Sequence, residues 1–322
     1  MLDKILFRCD AGYKSELGSG HLIRSITIAK ELNKKYLIKK KNILFLLKTN
    51  NKYSLGAKII KSENFRFQSI NSSILDYSDE ELNEILKINF KVIVFDRMGK
   101  INLSFIKKIK KLKKKIICID DSSKNKFLCD LSINPLVYKN TYSKRSHMSG
   151  FKFNILPSNP YKKMKARSLQ IKKVFFSFGG FDSKNYSKLY LKLLEKEHKY
   201  KIINSKIRYK KMFESRSKFY KKMQSSDLVI CSGGITMFDA INMNKIVISV
   251  DQYKHQLINI KRLVKDNILI YLSKKNSSSI FSLIDSLNNP NKLNLIYDKI
   301  RIFNMRQKSE LVIKKIFNLY AK

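Results

Sequence analysis

Ile5-Leu6-Phe7-Arg8-Cys9-Asp10, followed by a short polar loop that closes on Gly18-Ser19-Gly20-His21-Leu22-Ile23-Arg24, decides how the chain is read. The apolar run reads as a strand. Beyond the turn, Ile26, Ala29, Lys30 and Leu32 read as a helix. This is one βα unit with a histidine set into its glycine-rich turn. Glycines let the backbone come close to a ligand, and a helix N-terminus favours anions. Histidine exchanges a proton near neutral pH. The unit therefore offers an anion site beside a candidate general base. Gly18-Ser19-Gly20-His21 is not the dinucleotide pattern GxGxxG, and the chain contains no GxxxxGK(S/T) phosphate loop.

Strand and helix patterns alternate outward from this unit. Apolar runs predict strands at Lys4–Arg8, Asn42–Leu47, Phe65–Ile70, Lys91–Phe95, Lys115–Ile119 and Leu131–Asn134. Helical spacing fills Gly20–Asn33, Ser54–Ser62, Asp79–Ile88 and Asn102–Lys113. Buried β-branched strands alternating with helices imply a doubly wound parallel sheet. From Lys139 to Lys173 the pattern weakens, and it restarts with strands at Val174–Phe178, Tyr200–Ile203, Leu228–Cys231 and Ile246–Val250. Helices are expected from Ser183, through Ile241 and from His255, with one long helical region from Asn291 to Leu319. The predicted organisation is a Rossmann-like domain over 1–155, a linker over 156–172 and a second Rossmann-like domain over 173–322, facing each other across a cleft. The C-terminal helix is expected to return to the first domain.

Ligands of open α/β sheets bind at the carboxyl ends of strands. The polar residues at such ends are Asp10 and His21, Asp96-Arg97, Asp120-Asp121, Asn134, Ser177 with Gly179-Gly180, and Ser232 with Gly233-Gly234. The turns Ser177-Phe178-Gly179-Gly180-Phe181-Asp182-Ser183 and Ser232-Gly233-Gly234-Ile235-Thr236 can each turn backbone amides toward a phosphate. The first is equally an ordinary turn capped by Asp182 or Ser183. Asp239, just inside the next helix, can accept hydrogen bonds from ribose hydroxyls or complement the helix dipole. Asp120-Asp121 can bind a metal or supply a base, but loop hydrogen bonding or capping is the plainer reading. His147 and His198 sit in lysine-rich stretches and read as solvated. His255, with Gln256 and Asn259, follows a strand end.

The 322 residues give room for about two domains. With 43% apolar residues and no apolar run near the ~20 needed to span a bilayer, the composition is that of a globular protein. No signal peptide is recognisable, and Cys9, Cys118, Cys129 and Cys231 form no CxxC pair. Both features point to reduced thiols in a cytoplasmic protein. The net charge of +42 suggests nucleic acid or an anionic surface. The lysines are spread over the whole chain and no nucleic-acid signature accompanies them. A lysine- and asparagine-rich bias on solvated faces explains them, with weak attraction to anionic surfaces as its by-product.

Taken in order, these residues resemble a known family. Phe7-Arg8-Cys9-Asp10 with Gly18-Ser19-Gly20-His21…Arg24 looks like the opening of the UDP-sugar hydrolase of pseudaminic acid biosynthesis and of related spore-coat polysaccharide proteins. Further matches are Val92-Ile93-Val94-Phe95-Asp96, Ile119-Asp120-Asp121, Cys129-Asp130-Leu131, Asn134, Phe178-Gly179-Gly180-Phe181-Asp182, Ser226-Asp227-Leu228-Val229-Ile230, Ser232-Gly233-Gly234…Asp239-Ala240 and Gln256…Asn259. The resemblance implies a glycosyltransferase-B fold. It also implies metal- and cofactor-free hydrolysis of UDP-2,4-diacetamido-2,4,6-trideoxy-β-L-altrose to free sugar and UDP. His21 would activate water, with Asp10 as the second catalytic residue. Gly18, Gly20, Arg24, Asp96, Asn134, Gly179, Gly180, Ser232, Gly233, Gly234, Ile235, Thr236, Asp239, His255, Gln256 and Asn259 would bind substrate. Three departures stand out. Arg97-Met98 replaces a His-Tyr pair, Asp239 replaces a Glu, and His255-Gln256 replaces Asn-Gln. The first and third fall on the sugar side, so the resemblance is firmer for the nucleotide half. A glycosyltransferase of the same architecture is the alternative. A non-catalytic nucleotide-sugar binder and a nucleic-acid binder are more distant ones.

Overall fold

Ile5, Leu6 and Phe7 are all fully buried, because their strand is covered on both faces. This is why the run is continuously apolar rather than alternating. The computed structural model describes residues 4–12, 17–136, 146–157, 169–179, 182–194, 199–204 and 214–321. Gly180, His198 and the side chain of Met98 lie outside the described residues. Two compact units are formed, Met1–Pro157 with Gln307–Lys322, and Ser158–Arg306.

Unit 1 runs β1 (Ile5–Arg8), α1 (Gly20–Tyr36), β2 (Ile43–Lys48), α2 (Ser54–Ser62), β3 (Arg66–Ile70), α3 (Asp79–Leu86), β4 (Val92–Gly99), α4 (Leu103–Lys111), β5 (Lys115–Asp121), β6 (Leu131–Asn134) and β7 (His147–Ser149). Its sheet is parallel in the order β3-β2-β1-β4-β5-β6-β7. Val92 and Val94 of β4 pack with Leu22, Ile26 and Ala29 of α1, whereas Ile93 and Phe95 pack with Phe105 and Ile109 of α4. Strand alternation then sends Asp96 to the α1 face and Arg97 to the α4 face.

Unit 2 runs β8 (Lys173–Ser177), α5 (Tyr186–Leu194), β9 (Lys201–Asn204), α6 (Arg216–Ser225), β10 (Leu228–Ser232), α7 (Ile235–Asn242), β11 (Ile246–Val250), α8 (Lys254–Lys265), β12 (Ile270–Tyr271), α9 (Ile280–Leu287) and α10 (Pro290–Met305). Its parallel order is β12-β11-β10-β8-β9. The long helical region expected over Asn291–Leu319 is made of two helices. The side chain of Asn289 caps α10, with Pro290 in the first turn. The chain leaves the helix after Met305, and α11 (Ser309–Ala321) follows. α11 belongs to unit 1, where Val312, Ile313 and Ile316 enter the core and Phe317 stacks on Tyr36 at 4.1 Å.

His147 corrects another expectation. It is buried in β7, not solvated, and its Nδ1 lies 2.5 Å from Ser132 Oγ on the neighbouring strand. Burial, helped by the charge of Lys126, lowers its pKa. Among the described residues, no helix is long and apolar enough to cross a membrane.

Candidate active site

Both sheets reverse their strand order once in a way that opens a crevice, between β1 and β4 in unit 1 and between β8 and β10 in unit 2. Ligands of such sheets bind at the carboxyl ends flanking the reversal. The glycine turns of the sequence fall at these points.

In unit 1 the turn after β1 closes through a hydrogen bond from Gly12 N to Gly18 O, 2.9 Å. Gly18 has φ +50°, a conformation that costs a residue with a Cβ. Helix α1 starts at Gly20, and Ser19 before it makes no side-chain cap. Helical spacing places residues 21, 24 and 25 on one face. All three reach Asp96, which is fully buried at the end of β4. Arg24 clamps it in a fork, Nε to Oδ2 at 3.0 Å and Nη2 to Oδ1 at 2.5 Å. Ser25 Oγ donates to Oδ2 at 3.1 Å. His21 Nδ1 lies 2.9 Å from Oδ1.

The network assigns the histidine tautomer. Arg24 Nη2 faces two carboxylate oxygens, Asp96 Oδ1 and, at 2.6 Å, Asp120 Oδ2. It also lies 3.1 Å from His21 Nδ1, but the ionised Asp96 can only accept, so the 2.9 Å contact between its Oδ1 and His21 Nδ1 calls for a proton on that ring nitrogen. Nδ1 then carries the proton and donates it to Asp96, leaving the Nε2 lone pair unused. Burial opposes ionisation of Asp96, but the charge and hydrogen bonds of Arg24, with the His21 hydrogen bond, hold its carboxyl below the usual carboxylate range. Burial likewise works against the Arg24 charge, and Asp120 and Asp96 more than restore it. This is a histidine oriented by a buried acid, an arrangement that can fix an imidazole for proton abstraction.

The local backbone is irregular where these groups meet. Asp96 pairs with Ile119 and Gly99 with Asp121, so β4 carries one extra residue there. Bulges of this kind re-aim side chains. Opposite the bulge, Asp120 adopts φ +61°. Its neighbour Asp121 has the plainer role, accepting from Ile101 N at 2.7 Å and from Ser123 N at 2.8 Å.

Asp10 is not brought to His21. It lies with Arg8 on the α4 face of the sheet, 2.8 Å from Arg8 Nη1, and accepts from Lys48 N at 2.8 Å. Arg97 is also on that face, with two 2.7 Å hydrogen bonds to Glu81 and its guanidinium 3.9 Å above the Tyr77 ring. Asn134 ends β6, where Nδ2 donates to Asp121 O at 3.1 Å and Oδ1 is buried without a hydrogen bond.

In unit 2, glycines and a glutamine stand near the described strand ends, with Asp251 just past β11. Gly233 is forced by packing, since a Cβ there would lie 2.8 Å from the Ile260 side chain and 3.1 Å from Gln256 Cβ. Gly234 precedes α7 without a side-chain cap. The amides of Ile235 and Thr236 in the first turn therefore have no intrahelical acceptor. Gly179 follows β8 with φ +84°. Gln252, which the sequence did not single out, ties this edge together. Its Nε2 donates to Phe178 O at 2.7 Å, its Oε1 accepts from Ser183 N at 2.8 Å, and its amide donates to Gln256 Oε1 at 3.1 Å. Asp182 caps α5, accepting from Tyr186 N and Ser187 N. Asn259 is buried on α8, and the exposed His255 stacks on Tyr253 at 5.6 Å.

Asp239 is buried in α7 and accepts from Tyr220 OH at 3.0 Å; that hydroxyl in turn accepts from Arg216. Burial pushes the Asp239 carboxyl up to about 6, against the pull of Arg216 and the Tyr220 hydrogen bond. Among the described residues, no group of three or more His, Cys, Asp or Glu side chains is arranged to hold a metal ion.

No family model matches the chain. It is 28% identical to the uncharacterized protein MJ1062 of Methanocaldococcus jannaschii, in an alignment covering 80% of this chain and 57% of that protein. The chain thus spans little more than half the length of that curated relative. Among solved structures it is similar to the spinosyn forosaminyltransferase SpnP, with a TM-score of 0.64 over 100% of both chains at 10% identity. It is also similar to the spinosyn rhamnosyltransferase SpnG, with 0.62 over 97% of this chain and 99% of that one at 10% identity. The glycosyltransferase SsfS6 of Streptomyces sp. SF2575, complexed with thymidine diphosphate, gives 0.58 over 98% of this chain and 100% of its own, again at 10% identity. With two parallel α/β units matched along their length by these structures, the chain has the glycosyltransferase-B fold.

Proposed function

We propose that the chain is a glycosyltransferase that uses a nucleotide-sugar donor, with His21 as its general base. The observation that carries this reading is the His21–Asp96 pair, clamped by Arg24 at the strand-order reversal of unit 1. In the proposed reaction, His21 Nε2 takes the proton of an acceptor hydroxyl as its oxygen attacks the anomeric carbon. Asp96 stabilises the imidazolium that results. The nucleoside diphosphate is assigned to unit 2, where the first-turn amides of Ile235 and Thr236 can meet its negative charge. Asp239 is assigned to the ribose hydroxyls, with Gly179, Ser232, Gly233, Gln256 and Asn259 lining the nucleotide side. Thymidine diphosphate in SsfS6 and the transferase activities named for SpnP and SpnG support a transferase on this fold.

Hydrolysis is the second reading, favoured by the ordered run of motifs from Phe7-Arg8-Cys9-Asp10 to Gln256…Asn259. Water then takes the acceptor's place, and the substrate is a UDP-linked 2,4-diacetamido-2,4,6-trideoxyhexose on the way to a pseudaminic-type acid. One experiment separates the two. The protein is incubated with UDP- and dTDP-sugars, with and without hydroxyl acceptors, and nucleoside diphosphate and free sugar are followed. Release that requires an acceptor supports transfer, and stoichiometric free sugar without acceptor supports hydrolysis. In either case His21→Ala is expected to lower turnover by about 10²–10⁴-fold. Near-wild-type turnover in a folded His21→Ala protein removes the base from both schemes.

A further inference from the structure

Arg24 is shared between two carboxylates, and only one of them touches the histidine. Asp96 accepts from His21, whereas Asp120 meets the same Arg24 nitrogen from the end of β5, at 2.6 Å. The side chain of Asp120 is 11% exposed and that of Arg24 2%. Cys9, next to Asp96, is held as the neutral thiol by burial. Among the described residues, the charged groups tied to the imidazole through these contacts are therefore one cation and two anions. With a neutral His21 the cluster carries one excess negative charge, and a proton on His21 cancels it.

We propose that Asp120 is a positioning residue that acts through Arg24, giving the buried cluster the excess negative charge that His21 neutralises when it takes a proton. The proposal rests on the reading of His21 as the base. Asp96 alone would be balanced by Arg24, and protonating His21 would then leave a net positive charge in a buried setting, which is costly. The second carboxylate removes that cost. Its left-handed backbone fits the role, because a residue held in a sparsely populated conformation next to a bulge marks a place where the surroundings dictate geometry.

Asp120→Asn and Asp120→Gly both remove the charge, and both residue types accept a positive φ. The His21 imidazole is titrated by NMR in the wild-type protein and in each variant. Its signal is assigned among the four histidines by its loss in His21→Gln. The expected result is a midpoint about one pH unit lower in both variants. The acid limb of the kcat/KM profile is expected to move the same way, with a lower plateau and little change in donor KM. An unchanged midpoint in a folded variant overturns the proposal, as does a lowered plateau whose acid limb stays in place. If the midpoint moves but no nucleotide sugar is turned over by the wild-type protein, the charge coupling stands and the catalytic reading falls.

Discussion

Two ion clusters share the carboxyl edge of the unit 1 sheet, one on each face. On the α4 side, Arg8, Lys48 and Arg97 meet Asp10, Asp76 and Glu81. On the α1 side, Arg24 meets Asp96 and Asp120, and a histidine takes the remaining place. The first cluster is closed, because its three cations balance three anions. The second is one positive charge short and contains the group that can gain it. They draw on adjacent positions of one strand, Asp96 beside Arg97 on β4. The difference shows how a parallel sheet can hold a balanced ion network and one completed by a histidine within a single strand end, separated by the pleat.

Breaking the closed cluster has the largest expected effect on stability. Glu81 is fully buried between Arg8 and Arg97, so Glu81→Gln leaves two guanidinium groups without their shared anion. The expected loss is about 3–5 kcal/mol in denaturant unfolding. Although burial opposes it, Arg97 and Arg8 hold the Glu81 carboxyl at about 2, below its ordinary 4.5. Its stabilisation is complete above the unfolded value and is lost as pH falls through about 2. The wild-type protein should therefore lose stability over that window, and Glu81→Gln should lack this slope. An equal slope in both proteins would assign acid unfolding to other groups.

Asp239 gives the opposite sign. Its folded-state pKa, about 6, lies above the ordinary 3.8, so the charged form is disfavoured by folding. Stability from this group is present below the unfolded value and lost as pH rises through about 6. Asp239→Asn is thus expected to stabilise the protein at pH 7.5 by roughly 1–2 kcal/mol and to give no gain at pH 4. Under the proposed ribose role the same change weakens nucleotide binding. Destabilisation at pH 7.5 would mean that Asp239 serves the fold and not a ligand. The smallest change sharpens the histidine cluster. Ser25→Ala removes one of the four hydrogen bonds that three side chains make to Asp96, and a several-fold loss of turnover is expected, worth about 0.5–1.5 kcal/mol. No loss would show that Arg24 and His21 hold the carboxylate unaided.

What the sequence disclosed was local. The βα alternation, the glycine turns and the i, i+3 spacing of His21 and Arg24 are periodic signals that a chain shows within a few residues. Ser25 follows by the same spacing at i+4. Asp96 joined the reading as a strand-end carboxylate, but its contact with His21 spans 75 residues and depends on β1 and β4 being neighbours. Asp10 and Arg97 misled because a strand end names two faces at once. Counting the alternation from Ile93 and Phe95 would have sent Arg97 away from Asp96. The strands β7 and β12 span three and two residues, too short for any pattern to appear. Gln252 works through its amide alone, for which composition holds no signal.

The return of α11 gives translation an unusual order. The ribosome delivers β1 through β7 first, yet Val312, Ile313 and Ile316 are part of that unit's core. Until the intervening unit has been made, the groove beside α1 and Tyr36 has no cover, and the apolar surface there is available to a holdase. Unit 2 can complete its core while the chain is still being synthesised. Unit 1, made first, closes last.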